Sequence, residues 1–107
     1  MDILNSKDPF KLICGAYLFS GRPDPIKELD GETFEELMVL LESLPATGER
    51  ISPPQFGYRG CWIRRGYEEW LAYEGVITYS EKGEVKEFIK DEGKIIEERI
   101  KKMLGVE

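Results

Sequence analysis

The chemistry open to this chain is bounded by an absence, because its 107 residues include no histidine. Without imidazole there is no Ser-His-Asp or Cys-His nucleophile pair, and the usual zinc sites lose a principal ligand. The two cysteines, Cys14 and Cys61, lie 47 positions apart with no C-x-x-C spacing, which indicates neither a zinc site nor a disulfide framework. Neither opens an anion cradle, since the positions six residues further on are Ser20 and Tyr67 rather than arginine. A cation such as Arg59 beside Cys61 would favour thiolate, but a small buried residue on an alternating strand is the preferred reading.

The carboxylates are equally restricted. Asp24, Glu28, Asp30 and Glu32 surround Gly31 as in a calcium loop, yet an aligned loop would begin at Ile26 and close at Leu37, neither of which can bind the ion. These acids suit the positive end of the following helix instead. The adjacent glutamates at 35/36, 68/69 and 97/98 point apart on a helix or strand and read as solvated faces rather than acid/base pairs. Glycine-rich nucleotide loops are missing, and neither a metal nor a cofactor is expected.

What remains is two loops that set an arginine beside glycine. "FSGRPDP", Phe19 to Pro25, carries Arg22 and Asp24, and "GYRG", Gly57 to Gly60, carries Tyr58 and Arg59. Arginine offers a rigid fork for carboxylate or phosphate, and glycine lets a ligand or another backbone come close. These four residues are the candidate ligand-binding set, and the expected function is a binding or interaction domain for a protein partner or small anionic ligand. The competing reading is structural: Arg22 pairs with Asp24 or an acid of the first helix, and the two loops lock together. An enzyme is the alternative from another class, with Asp24 or Tyr58 moving the proton in a pocket built between two chains.

Positioning these loops requires an α+β framework. "FKLICGAYLFS" is apolar on both faces and reads as a central strand. "LDGETFEELMVLLESLP" is the clearest helix, with Asp30 as N-cap, Leu29 and Phe34 as a hydrophobic staple, and Pro45 as its stop. "GYRGCWIRRG" and "YEEWLAYEGVITYS" read as a hairpin, with Leu71, Tyr73, Ile77 and Tyr79 on one face and a bulge at Gly75. Its aromatics interleave with Arg59, Arg64 and Arg65, a mixture common at interface centres. One helix from Glu84 onward would place Val85, Phe88, Ile89, Ile96, Ile100 and Leu104 on one face; the preferred alternative reads "VKEFIK" as a further strand and Asp91 as the cap of a shorter terminal helix. The expected order is β-α-β-β-β-α, a mostly antiparallel sheet with helices packed on it, in a single domain over residues 1–107.

The net charge of −6 argues against nucleic-acid binding, which leans on a basic surface. Residues 24–49 hold eight acids and one base, whereas 50–65 hold four arginines and no acid, so the molecule is expected to be electrostatically two-faced. The longest uncharged apolar run, Leu12 to Phe19, is far short of the roughly 20 residues of a membrane span. No basic leader precedes it, and a cytoplasmic location is expected. The apolar strand face also admits a homodimer.

The succession "FSGRPDP", "PPQFGYRG", a tryptophan and "YEGVI" resembles a family of small bacterial proteins of unknown function, in which FSGRP-x-P precedes a proline-containing loop and GYRG. The resemblance covers roughly residues 17–104. Where the family pattern has a tryptophan after the second proline, this chain has Ile26 and Lys27. The resemblance implies that the two loops matter, and it carries no activity.

Overall fold

Alternating side chains between Cys61 and Lys90 produce four consecutive antiparallel strands, and these form two thirds of one sheet. The computed structural model describes residues 11–18, 23–50 and 57–106. Within them the elements run β1 (Leu12–Ala16), β2 (Ile26–Glu28), α1 (Gly31–Glu42), β3 (Cys61–Arg65), β4 (Glu68–Tyr73), β5 (Val76–Glu81), β6 (Glu84–Lys90) and α2 (Ile95–Leu104). A 3-10 turn, Glu92–Lys94, leads into α2. The sheet order is β2-β1-β3-β4-β5-β6 with every pair antiparallel.

The α+β architecture expected from the sequence is therefore present, with one strand added before the first helix. β2 is only three residues long and exists because β1 offers it a ladder, Ile13 opposite Glu28 and Gly15 opposite Ile26. The stretch read as one long strand after Tyr67 is divided. Glu74 and Gly75 both take positive φ, 49° and 87°, and make a two-residue hairpin turn rather than a bulge. Its consequence is a change of face: Leu71 lies opposite Thr78 and Trp70 opposite Tyr79, so Leu71 and Tyr73 do not share a face with Ile77 and Tyr79. The register does shift at Tyr79/Ser80, where β5 meets β6.

Both helices pack on one sheet face. Asp30 caps α1 by accepting from the Thr33 N–H at 2.7 Å, and Leu29 and Phe34 are both buried, as a hydrophobic staple requires. Phe34, Leu37 and Leu41 of α1 and Ile96 and Ile100 of α2 close over Cys14, Ala16, Ile63, Trp70, Ala72 and Ile77. β1 is central, between β2 and β3, and is buried on both faces within one chain, with Ile13 1% and Cys14 0% exposed. After α1 the chain adds itself to the far edge of the sheet through the Ala46–Ile89 bridge and the bond from the Thr47 N–H to the Phe88 carbonyl. Among the described residues no helix is long and apolar enough to cross a membrane.

Candidate functional site

The GYRG loop meets the end of β1 at one corner of the sheet. Beyond the β1–β3 ladder the Tyr17 N–H donates to the Gly60 carbonyl at 3.0 Å, and the Arg59 N–H donates to the Tyr17 carbonyl at 2.7 Å. Asp24 accepts from the Leu18 N–H at 2.8 Å, and the Ala16 N–H donates to the Pro25 carbonyl at 3.2 Å. Asp24 thus closes the connection from β1 to β2 in the manner of a turn residue. Gly60 sits so tightly that a β-carbon there would lie 2.8 Å from the Ala72 carbonyl oxygen. Arg22 lies outside the described residues.

Tyr58 and Arg59 are neighbours in this corner but diverge, as successive residues of an extended chain must. Tyr58 turns towards α2, where its hydroxyl donates to Glu97 Oε2 at 2.5 Å and stands 3.3 Å from Cys61 Sγ. The Lys101 ammonium lies 4.9 Å from the Tyr58 ring centroid. Glu97 is only 2% exposed, in contrast to the solvated role expected of the 97/98 pair, and Glu98 alone faces water. The helical spacing held the signal, because Glu97 is three residues from Ile100 and seven from Leu104, on the packed side of α2. Burial raises the Glu97 carboxyl above its usual range, against the lowering influence of Tyr58, the Glu74 backbone and Lys101. Burial, then the hydrogen bonds to Cys61 and Glu97, keeps the Tyr58 phenol protonated far above its ordinary value.

The cysteines follow the same physics. Both are fully buried and free, and burial pushes each thiol up to about 11. Cys61 has Tyr58 rather than Arg59 as its close partner, and burial outweighs the lowering influence of Tyr58 and Lys101 on the thiol. Among the described residues no group of acids and cysteines is placed to hold a metal ion.

Glu97 makes stability depend on pH with a definite sign. Its folded-state pKa is raised, so the folded protein holds the proton more tightly than the unfolded chain, and this contribution is lost as pH rises from the ordinary carboxylate range through the folded value. Glu97→Gln keeps an acceptor for Tyr58 and removes the titration. We expect the variant to gain stability relative to wild type between pH 4 and pH 8, measured as urea midpoints across that range. A constant difference would show that Glu97 titrates normally.

Arg59 points to the face away from the helices. Its guanidinium lies 5.9 Å from the Tyr17 ring centroid, and that of Arg64 lies 6.0 Å from the same ring. Arg64 is fixed by three contacts: Nε to Glu69 Oε1 at 2.7 Å, a terminal nitrogen to the Tyr17 hydroxyl, and stacking 3.9 Å from the Trp62 ring centroid. The network continues into a shallow depression of about 600 Å³ at the sheet end, lined by Arg64, Tyr67, Glu68, Glu69, Ser80 and Lys82. The turns at both ends of that depression are tied by the bond from the Lys82 N–H to the Tyr67 carbonyl at 2.9 Å. Of the aromatics expected to form a binding face, Trp62 and Trp70 are buried, while Tyr67 at the β3–β4 turn is 53% exposed.

The structure therefore places Asp24, Tyr58 and Arg59 in one corner without converging their side chains on one point. A carboxylate shielded from solvent is present, beside a phenol and a thiol instead of an arginine. Arg59 and Arg64 lie on the opposite face, with Lys82 and Tyr67 at its rim, while Lys101 stays beside Tyr58. No protein-family model matches the chain, and no curated protein or solved structure is similar to it.

Proposed function

We propose that this chain is a binding domain that takes a phosphate- or carboxylate-bearing ligand on the sheet face opposite the helices, along the strip from Arg59 and Arg64 to Tyr67 and Lys82. The observation that carries this reading is the meeting of Arg64 and Lys82 in one depression under the exposed Tyr67 ring. Arg64 is pre-positioned by Glu69 and Trp62, so binding need not order it, while Lys82, 5.5 Å from the Tyr67 ring centroid, supplies a second positive charge. Tyr67 contributes a flat anchor of the kind that carries interface energy.

Calorimetric titration with pyrophosphate, and in parallel with an acidic peptide, tests this reading. Lys82→Ala loses one charge-assisted hydrogen bond and is expected to weaken binding about tenfold, and raising the salt is expected to weaken it further. Pyrophosphate binding alone names a small anion, and peptide binding alone names a protein partner. Equal affinity of wild type and Lys82→Ala for both probes would refute the assignment of this surface.

The enzymatic reading has one observation in its favour, the hydrogen bond between the shielded Glu97 and Tyr58. It requires substrate to reach side chains that are buried in a single chain, and a second subunit or an opened α2 would have to provide the entrance.

A further inference from the structure

We propose that the groove between α1 and strands β4 to β6 is a second binding surface, taking a basic amphipathic segment of a partner protein. The groove measures about 340 Å³ and lies on the helix-bearing face, away from the strip described above. Met38, Leu41, Leu44, Trp70 and Ile89 make its apolar part, and Glu35, Glu42 and Glu87 stand at its rim.

The rim is distinguished by carboxylates without a direct ion pair, of which Glu35 also feels the charge of Arg65. Most surface carboxylates here are paired, for example Glu36 with Arg99, Glu49 with Lys90 and Glu74 with Lys94. The described carboxylates that make neither an ion pair nor a hydrogen bond are Glu32, Glu35, Glu42, Glu87 and Glu92, and three of these five line this one groove. The base that reaches it, Arg65, is already committed to Glu68 at 2.7 Å and lies 5.1 Å from the Phe34 ring centroid. A complementary ligand must therefore bring its own positive charge.

Spacing selects a peptide over a small amine. Glu35 and Glu42 are seven residues apart on α1, about 10.5 Å along its axis. One ammonium group cannot serve both. Two basic residues seven apart on a helical segment repeat that spacing of about 10.5 Å on one face, with apolar side chains at the third and fourth positions between them to meet Met38 and Leu44. Methionine suits such a contact because it adapts to the side chain it receives. The overall charge of −6 favours a basic partner over a second copy of this chain.

The test uses the full chain and a fluorescein-labelled peptide of sequence Ala-Lys-Ala-Ala-Leu-Leu-Ala-Ala-Lys-Ala, followed by anisotropy at low and moderate salt. Glu35→Gln/Glu42→Gln is expected to weaken binding at least tenfold. Glu32→Gln/Glu92→Gln removes the same net charge outside the groove and is expected to change affinity less than twofold. Replacing both leucines of the peptide by serine is expected to abolish binding. All the substituted glutamates are exposed, and thermal midpoints confirm that each variant is folded. Equal losses in the two double variants would mean general charge attraction and would overturn the proposal. So would failure of the wild type to bind the peptide, or concentration-dependent self-association in sedimentation that the peptide does not displace.

Discussion

Gly15→Val is expected to lower the stability of this domain by about 3 kcal/mol or more, because overpacking of this kind cannot relax without moving backbone. Gly15 lies on β1 under the Trp62 indole. A β-carbon there would stand 2.3 Å from Trp62 Cζ2 and 2.8 Å from the Pro25 carbonyl oxygen. The indole is held from its other side by Arg64, and Pro25 is held by its bond to the Ala16 N–H. Neither obstacle is the loose end of a flexible chain. A domain of this size shifts its midpoint by about 4–8 °C per kcal/mol, so a loss of well over 10 °C in a thermal melt is expected. Gly31→Ala serves as control, since no atom lies within 4 Å of a β-carbon at the first position of α1, and it is expected to melt at or slightly above the wild-type temperature. Equal melting of Gly15→Val and wild type would show that Trp62 is not seated against β1.

Asp91→Ala is expected to cost about as much by a different route. The residue immediately before α2 is Lys94, which has left-handed backbone geometry and no side-chain acceptor for the helix. Asp91 reaches across the 3-10 turn instead, with Oδ1 accepting from the Ile96 N–H at 3.0 Å and Oδ2 from the Glu97 N–H at 3.1 Å. The carboxylate is 1% exposed, so no water replaces it when it is removed. Hydrogen bonds to a charged group contribute roughly 1.5–3 kcal/mol each, and two orphaned amides at a helix start put the loss near 3 kcal/mol or above. Asp91→Asn keeps acceptor capacity but loses the charge that favours a helix N-terminus, and is expected to fall between Ala and wild type. Urea denaturation of the three proteins measures the order. If Ala and Asn are equally mild, α2 is held by Ile96 and Ile100 alone.

Much of this framework is legible in the sequence because local and tertiary signals agree. The Asp30 cap, the staple of Leu29 with Phe34 and the stripe through Leu37 and Leu41 all specify α1 before any contact is known. Asp91 likewise marks the start of α2. The division between β4 and β5 is harder to read, since Glu-Gly is a weak hairpin signal and requires Glu74 at positive φ. Alternation also runs on unbroken across the turn, which hides the change of face between Tyr73 and Ile77. β2 carries no signal of its own, because a three-residue strand after two prolines exists only through its neighbour. The candidate site divides in the same way. The burial of Glu97 was accessible from the helical spacing of α2, whereas the gathering of Arg64, Tyr67 and Lys82 depends on strand register.

Anion binding on the face opposite the helices is the central claim, and amide chemical-shift mapping tests it most directly. Pyrophosphate added to uniformly ¹⁵N-labelled protein is predicted to shift the backbone amides of Gly66, Tyr67, Lys82 and Gly83 together with the Arg64 Nε–H, saturably and less strongly as salt is raised. Shifts that never saturate, or that fall instead on α1 and α2 while these groups stay unmoved, would contradict it.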